Sequence, residues 1–474
     1  MSTNSSPPSS GGAHAGSDAS TIIYNHEPFD SYVDKVRSLL VALFPNQCSE
    51  STPIWHINGG SYHRVIGASL SDSGNTSSSE SERGDHIVIR VPRPEFSELG
   101  READDEAAVI SFLESHSKIP VPSVLKLDLT SDNPLGDPYV IQRMLPGEPL
   151  CDVYPSMTFE EKSEIVKEVV KLMGQLCGIT FESIGYLNAK TKKDPSSGLS
   201  VGPFHVLVDD SKPGSSPTPV AIDISSFLDI QVAHILQTAN DETYTYPNLD
   251  KFASTFRDKL LPKLQTLSPQ ITLYHGDFSP QNILVSRSSD GESLSWKVSG
   301  LLDWDGSCAL PAPMAYSYPD FLWNWDSDWN EPDPYHHHHH HHHTLSAHSS
   351  RAHFNPYSHS LHTPAYSRPG SPHSHLHSRP GTPSHSHLHL HLHTPSHSRS
   401  HLNLLEPLGD EGKLLKELFV KEIKAVVPDF VDIVERKESM DLKEMGWLLI
   451  WGFRSREEGD EGDAILERLG VIGK

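Results

Sequence analysis

The 474-residue sequence is poor in cysteine and contains no long hydrophobic run. Its four cysteines are scattered without a CxxC pair, which argues against a disulfide framework and against a zinc knuckle. The longest apolar stretch, residues 445–453, is well short of the roughly 18 residues that a membrane-spanning helix needs. The first 25 or so residues lack the basic and apolar regions of a secretory signal. We therefore expect a soluble, cytoplasmic protein without a membrane partner.

Positive charge is also scarce. The chain has 38 lysines and arginines against 62 aspartates and glutamates, and its formal net charge is −24. Nucleic-acid binding needs a basic face that neutralises phosphates, so this balance argues against a nucleic-acid partner. A cationic ligand would suit an acidic protein, although bulk charge does not locate a pocket.

Two segments lack the apolar residues that could offset the entropy of ordering them. Residues 1–27 are rich in serine, proline and glycine, and residues 336–401 hold most of the 31 histidines, eight of them in succession at His336–His343. Both segments are predicted to be disordered. Three interpretations of the histidine-rich segment stay open: binding of Zn²⁺, Ni²⁺ or Cu²⁺, a charge response at about pH 6, and a low-complexity expansion without a role.

The strongest functional signal is a pair of motifs near the middle of the chain, His275-Gly-Asp-Phe-Ser-Pro-Gln-Asn282 and Gly300-Leu-Leu-Asp303-Trp-Asp305. Phosphoryl transfer from ATP needs a positioned acceptor, aligned phosphates and Mg²⁺ to neutralise charge. Asp277 is the candidate base that orients and deprotonates the acceptor hydroxyl. Asn282 and Asp303 offer the oxygen ligands that Mg²⁺ prefers. For either motif alone, an Asp and an Asn that cap a turn are the alternative.

In this order and spacing the two motifs resemble those of the aminoglycoside phosphotransferase and choline kinase superfamily, with its His-Gly-Asp-x-x-x-x-Asn loop and Ile/Leu-Asp-Trp-Asp/Glu strand. The resemblance implies an α+β, bilobal protein-kinase-like fold with a small β-rich N-lobe and a larger, mainly helical C-lobe. It also implies ATP and Mg²⁺ as cofactors and a small-molecule acceptor. A protein kinase is disfavoured because the loop has His-Gly-Asp in place of His-Arg-Asp, and no Ala-Pro-Glu element follows Asp303.

A kinase-like N-lobe would have to cover the phosphates of the nucleotide. Residues 54–66 have the pattern of a strand, a glycine turn and a second strand. Gly59, Gly60 and Ser61 are the candidate turn, because its backbone N–H groups could face phosphate oxygens. A plain structural hairpin is the alternative for this segment.

Arg90 lies in the next strand, at the position where protein kinases carry lysine. Arginine keeps its charge and can grip phosphate oxygens in bidentate fashion, but its planar fork is not interchangeable with an ammonium group. Arg90 is therefore either a ligand of the α- and β-phosphates or a solvated strand end. Its expected acidic partner is Glu106, on a helix predicted from the apolar spacing of residues 107–113, and neighbouring acids leave that choice open.

The hinge between the lobes is expected at Tyr139–Gly147, which has the pattern of a buried strand followed by a Pro-Gly turn. The backbone of Arg143 and Leu145 would present a carbonyl and an N–H group to the edge of adenine. A core strand with a turn and a hinge are compatible interpretations of this segment.

These assignments divide the chain into a tail at 1–27, an N-lobe at 28–147 that ends in the hinge, a C-lobe at 148–335, a disordered insertion at 336–401, and helices at 402–474 that complete the C-lobe. Helices are predicted at 158–176, with Thr158 and Glu161 as a capping box, and at 222–239, 249–267, 405–426 and 440–453. Residues 189–220 are predicted to form a long surface segment with a short strand at 202–208.

The segment Tyr318–Glu331 bears on the identity of the acceptor, because it combines three tryptophans with several acids. Aromatic faces and carboxylates hold protonated or quaternary amines, so an amino alcohol or amino sugar is the candidate acceptor. A core-anchoring turn is the alternative. Two further functions also stay open: a catalytically weak or inactive nucleotide-binding scaffold, suggested by Arg90 in place of lysine, and a metal-handling protein that uses the histidine-rich segment.

Overall fold

The computed structural model describes residues 27–57, 63–71, 85–92, 103–191, 194–204, 219–238, 244–264, 270–289, 294–325, 408–453 and 455–473. The candidate turn at Gly59, Gly60 and Ser61, the tail up to residue 26 and the histidine-rich segment lie outside these residues. The phosphate-covering turn and the two disordered segments therefore stay predictions.

Five antiparallel strands form the sheet of the N-lobe, in the spatial order β1-β2-β3-β5-β4. The strands are β1 (Ile54–Ile57), β2 (His63–Leu70), β3 (Asp85–Pro92), β4 (Val124–Asp128) and β5 (Tyr139–Arg143). Helix α1 (Phe29–Leu43) covers one face of the sheet. Its buried residues Val36, Leu39 and Leu40 follow the helical period and pack with Ile66 and Ile89 in a separate hydrophobic core.

Helix α2 (Ala103–His116) carries Glu106 and begins with three acids, which suits the positive end of the helix dipole. Its apolar face, including Ile110 and Leu113, packs into the core of the C-lobe rather than that of the N-lobe. Asp105 Oδ1 also accepts a hydrogen bond of 2.8 Å from the N–H group of Ala189. The helix is therefore attached to both lobes.

Helices form most of the C-lobe. They are α3 (Leu150–Val153), α4 (Phe159–Gly178), α5 (Ile224–Thr238), α6 (Leu249–Thr255), α7 (Leu261–Leu264), α8 (Ala312–Ala315), α9 (Asp410–Val426), α10 (Phe430–Val434), α11 (Lys437–Trp451) and α12 (Arg456–Arg468), with a π-helical turn at Phe256–Leu260 and 3₁₀ turns at Tyr154–Ser156 and Asp320–Leu322. The predicted capping box of Thr158 and Glu161 is present at the start of α4. Residues of α9 and α11, such as Phe419 and Leu449, share one core with α4.

Two small sheets complete the C-lobe. One has the order β7-β10-β13-β8-β9, and the other has the order β12-β11-β6. Their strands are β6 (Glu148–Pro149), β7 (Thr180–Phe181), β8 (Gly185–Thr191), β9 (Asp194–Gly202), β10 (Ile271–Tyr274), β11 (Ile283–Ser289), β12 (Leu294–Leu301) and β13 (Cys308–Pro311). The result is the predicted α+β fold with two lobes.

The prediction of a long surface segment at 189–220 was wrong over its first part. Strand β9 pairs with β8 along this stretch, and Leu199 and Val201 pack against the core. Serine, glycine and proline dominate the rest of β9, so local strand propensity is low. Pairing and burial of these two side chains outweigh that propensity. Within the described residues, no helix combines the length and apolarity needed to cross a membrane.

Candidate active site

The loop between β10 and β11 brings two of the predicted site residues together. Asn282 Nδ2 donates hydrogen bonds to Asp277 Oδ2 at 2.9 Å and to the carbonyl oxygen of Asp277 at 3.0 Å. The carbonyl oxygen of Asn282 accepts the N–H group of Leu302 at 2.9 Å, directly before Asp303. This backbone contact places the two sequence motifs side by side.

His275 supports the loop from inside the protein. Its side chain is buried, its Nδ1 accepts a hydrogen bond of 3.3 Å from the N–H group of Asp277, and its ring lies 4.4 Å from that of Trp304. Burial lowers the pKa of His275 to about 4. The imidazole is therefore neutral at physiological pH and serves to shape the loop.

Two glycines allow the motifs to approach closely. Gly276 has a φ of 93°, in the left-handed region that favours glycine. A Cβ atom at this position would lie 2.6 Å from the carbonyl oxygen of Gly306. A side chain at position 276 would therefore force the loop between β10 and β11 away from the Asp303–Asp305 segment.

The Asp303–Asp305 segment is anchored by its central tryptophan. Trp304 is 1% exposed, and its Nε1 donates a hydrogen bond of 3.0 Å to the carbonyl oxygen of Leu301. The flanking side chains of Asp303 and Asp305 are 38% and 23% exposed. Asp303 also has a φ of 65°, a strained conformation for a residue other than glycine, and such strain is concentrated at functional sites.

Arg90 joins β3 to three carboxylates. Its Nη2 donates hydrogen bonds to Asp303 Oδ1 at 3.0 Å and to Asp305 Oδ2 at 3.1 Å, while its Nη1 lies 3.1 Å from Glu106 Oε1. The predicted ion pair between Arg90 and Glu106 is thus present. Arg90 is not a solvated strand end, because its side chain is only 12% exposed.

The electrostatics of this cluster are set by burial and by an excess of negative charge. Burial lowers the pKa of the Arg90 guanidinium, but Glu106, Asp305 and Asp303 outweigh it, and the net shift of the pKa is upward. Burial raises the pKa of the Glu106 carboxyl, and the nearby Asp305 and Asp303 carboxylates raise it further against the opposing effect of Arg90. One guanidinium therefore holds together three acids that would otherwise repel one another.

His63, the first residue of β2, also belongs to the cluster, although the sequence gives no local signal for it. Its Nδ1 lies 3.2 Å from Arg90 Nη2 and 3.4 Å from Asp305 Oδ2. His63, Glu106 and Asp305 offer ligand atoms within 4.8 Å of one another, which resembles a metal site. Because the cationic Arg90 contacts all three, the cluster here surrounds a guanidinium.

The predicted hinge residues follow the last strand of the N-lobe sheet. Arg143 ends β5, and its N–H group donates a hydrogen bond of 2.9 Å to the carbonyl oxygen of Ser123. The N–H group of Met144 donates to the carbonyl oxygen of His86 at 2.9 Å. The N–H group of Leu145 donates no hydrogen bond to any described residue, which leaves it available to a ligand.

Several atoms of the site suit a Mg²⁺–nucleotide ligand. Within the described part of the chain, Asn282 Oδ1 accepts no hydrogen bond and Arg90 Nε has no hydrogen-bond partner. Buried polar atoms are normally paired, so the Nε of Arg90 is an exception that calls for a partner. Asn282 and Asp303 could hold Mg²⁺, and Arg90 could hold a phosphate.

The described part of the segment Tyr318–Glu331 is built for packing. The ring of Trp323 lies 5.4 Å from Phe419, and Trp325 stacks on Tyr154 at 5.1 Å. Burial raises the pKa of Asp320. Up to residue 325, the geometry favours the core-anchoring turn over an open aromatic cage, and residues 326–331 lie outside the described residues.

Comparison with known families gives two matches. Residues 71–335, more than half of the chain, match the APH family, described as the phosphotransferase enzyme family. Residues 281–447 also match the DUF3984 family of proteins of unknown function. The first match contains both motifs of the site.

Individual relatives are distant. A subtelomeric hrmA-associated cluster protein of Aspergillus fumigatus is 23% identical over 294 residues, which cover 51% of this chain and 57% of the relative. Altered inheritance of mitochondria protein 9, a mitochondrial protein of Saccharomyces cerevisiae, is 22% identical over 344 residues, 59% of this chain and 51% of the relative. The chain thus spans about half the length of the curated relatives it matches.

Among solved structures, the aminoglycoside phosphotransferase APH(4)-Ia is 14% identical, with a TM-score of 0.35 and coverage of 60% of this chain and 75% of that chain. A complex of APH(2″)-IIIa with GDP and kanamycin is 16% identical, with a TM-score of 0.32 and coverage of 61% and 75%.

Proposed function

Because the chain belongs to the phosphotransferase enzyme family, we propose that it transfers the γ-phosphoryl group of ATP, with Mg²⁺, to a hydroxyl group of a small molecule. The observation that supports the proposal is that the Asn282–Asp277 hydrogen bonds and the Leu302–Asn282 backbone contact bring the two motifs side by side. Phosphoryl transfer requires a base and metal ligands at one place, and Asp277, Asn282 and Asp303 lie on these adjoining segments.

Each residue then has a distinct task. Asp277 orients the acceptor hydroxyl and takes its proton, and Asn282 fixes the Asp277 carboxylate through its amide Nδ2. Asn282 Oδ1 and the Asp303 carboxylate hold the metal, Arg90 holds phosphate oxygens, and Glu106 holds Arg90. When bound, Mg²⁺–ATP would supply the transferred group and the positive charge that offsets its phosphates.

The nucleotide base would lie against the hinge. The proposed contacts of adenine are the backbone carbonyl of Arg143 and the N–H group of Leu145, which has no partner among the described residues. The turn at Gly59, Gly60 and Ser61 is proposed to cover the phosphates, because it leads directly into β2, which pairs with β3 beside Arg90.

A protonated amine is the proposed feature of the acceptor. Asp277, Asp303 and Asp305 lie on the segments that meet at the site, and Arg90 offsets only one of these charges. An excess of carboxylates attracts cations, so amino alcohols and amino sugars are the first compounds to screen.

The test is thermal unfolding of the full-length protein with ATP, with and without Mg²⁺, for the wild type and Asp303→Asn. A ligand that binds only the folded state stabilises it by about 2.7 kcal/mol at one hundred times its Kd. We expect a Mg²⁺-dependent rise in the melting temperature that Asp303→Asn abolishes. Asp250→Asn, which changes an exposed carboxylate on α6, is the matched control and should respond like the wild type.

Transfer is measured next, with labelled ATP and the amine-containing acceptors. Phosphorylated product from the wild type but not from Asp277→Asn would support catalysis. A Mg²⁺-dependent melting shift without product from any acceptor would favour the nucleotide-binding scaffold. The absence of any shift at millimolar ATP would refute the proposed function.

A further inference from the structure

Arg90 Nη2 has more polar neighbours than hydrogens to donate. A guanidinium Nη nitrogen carries two hydrogens. Asp303 Oδ1 and Asp305 Oδ2 accept from this one at 3.0 Å and 3.1 Å, and His63 Nδ1 lies 3.2 Å from it. In the His63 tautomer that carries its proton on Nε2, Nδ1 is an acceptor, and one of the three acceptors is then redundant.

The roles proposed above identify the redundant acceptor as Asp303. A carboxylate that binds Mg²⁺ directs its lone pairs to the metal and accepts hydrogen bonds less well. If Asp303 turned to the metal, Asp305 and His63 would still provide one acceptor for each hydrogen of Nη2. Glu106 could not replace them, since it lies on the opposite nitrogen, Nη1.

We propose that Asp305, assisted by His63, is the positioning residue that keeps Arg90 directed at the nucleotide phosphates while Asp303 binds Mg²⁺. The inference rests on the proposed function and assigns a role to the second acid of the Asp-Trp-Asp segment. In this role Asp305 acts through Arg90 and does not contact the reacting atoms.

Asp305 is well placed for this role because it connects the two lobes. It follows β12 in the C-lobe, yet its Oδ2 contacts Arg90 on β3 and lies 3.4 Å from His63 at the start of β2. These two strands pair next to each other, with Val65 opposite Arg90. One carboxylate thus fixes the end of the N-lobe sheet against the segment that carries Asp303.

Calorimetric binding of the non-hydrolysable nucleotide AMP-PNP to the full-length protein tests this role, once with Mg²⁺ and once with EDTA. With Mg²⁺, Asp305→Asn should weaken binding about tenfold, because Arg90 then loses both carboxylates on Nη2. With EDTA, Asp303 stays on Arg90, and Asp305→Asn should bind like the wild type. A purely structural role would weaken binding equally in both conditions.

Two further variants strengthen the test. Asp305→Glu keeps the carboxylate and should recover part of the Mg²⁺-dependent affinity, while Asp303→Asn should lose the effect of Mg²⁺ itself. Asp250→Asn is the control for loss of an exposed carboxylate and should match the wild type. Melting temperatures of all variants establish that they are folded.

The outcomes separate this inference from the proposed function. Wild-type affinity of Asp305→Asn with Mg²⁺, or an equal loss with Mg²⁺ and with EDTA, would overturn the role of Asp305 and leave the proposed function standing. Failure of the wild type to bind AMP-PNP under either condition would overturn both.

Discussion

The two halves of the site are held by different kinds of contact. The loop that carries Asp277 is held by a short-range side-chain contact and by close backbone packing: Asn282 bonds to a residue five positions away, and Gly276 lies against the backbone of Gly306. The cluster around Arg90 is held by charge between residues far apart in the chain, since Asp303 is 213 positions away. The first arrangement is fixed by backbone shape, and the second depends on how charges balance.

This difference predicts that the loop and the Arg90 cluster respond differently to ligands and to substitutions. Backbone packing does not respond to a metal ion, so near neutral pH, where His275 is uncharged, the loop can keep one geometry through the reaction. The Arg90 cluster contains titratable groups and a proposed metal ligand, so its contacts can exchange when the ligand arrives. Changes in the backbone contacts of the loop should act chiefly on stability, whereas changes in the cluster should also alter ligand binding.

The largest expected effect comes from breaking the cluster with Arg90→Met. Removal of one partner from a buried ion pair typically destabilises a protein by about 3–5 kcal/mol, because the remaining charge has no partner. Three carboxylates would lose their shared cation here. Denaturant unfolding at pH 7.5 measures the loss.

The same variant should recover stability in acid. The pKa of Glu106 is already raised by burial, so Glu106 contributes stability below its ordinary pKa of 4.5 that is lost as the pH rises. Without Arg90 the pKa of Glu106 should rise further. The difference in the free energy of unfolding between Arg90→Met and the wild type should therefore shrink as the pH falls. Arg287→Met, at an exposed arginine paired with Glu161, is the control and should change stability far less. An equal loss of stability in Arg90→Met and Arg287→Met would contradict the role of Arg90 as the shared cation of the cluster.

The loop is tested by Gly276→Ala. An added Cβ would meet the backbone of Gly306 at 2.6 Å in a left-handed conformation, so we expect a loss of about 3 kcal/mol in the free energy of unfolding. Gly136→Ala is a close control, because Gly136 has a φ of 78° but nothing within 4 Å of the added atom. It should lose only about 1 kcal/mol. Similar losses in the two variants would mean that the contact with Gly306 is unimportant.

His275 should make the loop sensitive to acid. Burial lowers its pKa to about 4 from 6.5, so its contribution to stability is complete above pH 6.5 and is lost as the pH falls toward 4. From pH 6.5 to 4.5 the wild type should lose about 2 kcal/mol more than His275→Asn. Urea unfolding at both pH values measures the difference, and His116→Asn, at an exposed histidine, should follow the wild type. Parallel pH profiles of wild type and His275→Asn would refute the prediction.

The same division explains what the sequence could predict. The capping box of α4 and the loop residues Asp277 and Asn282 follow from short-range patterns, which one sequence displays directly. The fold class was implied by the family resemblance that the motifs carry. The pairing of Arg90 with Glu106 was predicted through the family resemblance. The functional tasks of all these residues remain predictions.

The contacts of Asp305 and His63 could not be predicted in this way. Asp305 lies 215 positions from Arg90, and no local pattern connects a histidine at the start of β2 to either residue. The attachment of α2 to the β8–β9 hairpin was also missed, because β9 has little intrinsic strand propensity. In each case the contact exists only after the chain has folded.

The smallest expected effect comes from that attachment, through Asp105. Its Oδ1 accepts the N–H group of Ala189 at 2.8 Å, and it stands next to Glu106 on α2. Asp105→Ala should lower the free energy of unfolding by about 1–2 kcal/mol, since the amide of Ala189 would lose its acceptor. Asp105→Asn retains an acceptor oxygen and should lose less. Because α2 also positions Glu106 against Arg90, Asp105→Ala should weaken AMP-PNP binding in proportion to its loss of stability. Unchanged binding would mean that α2 is held in place by its apolar face alone.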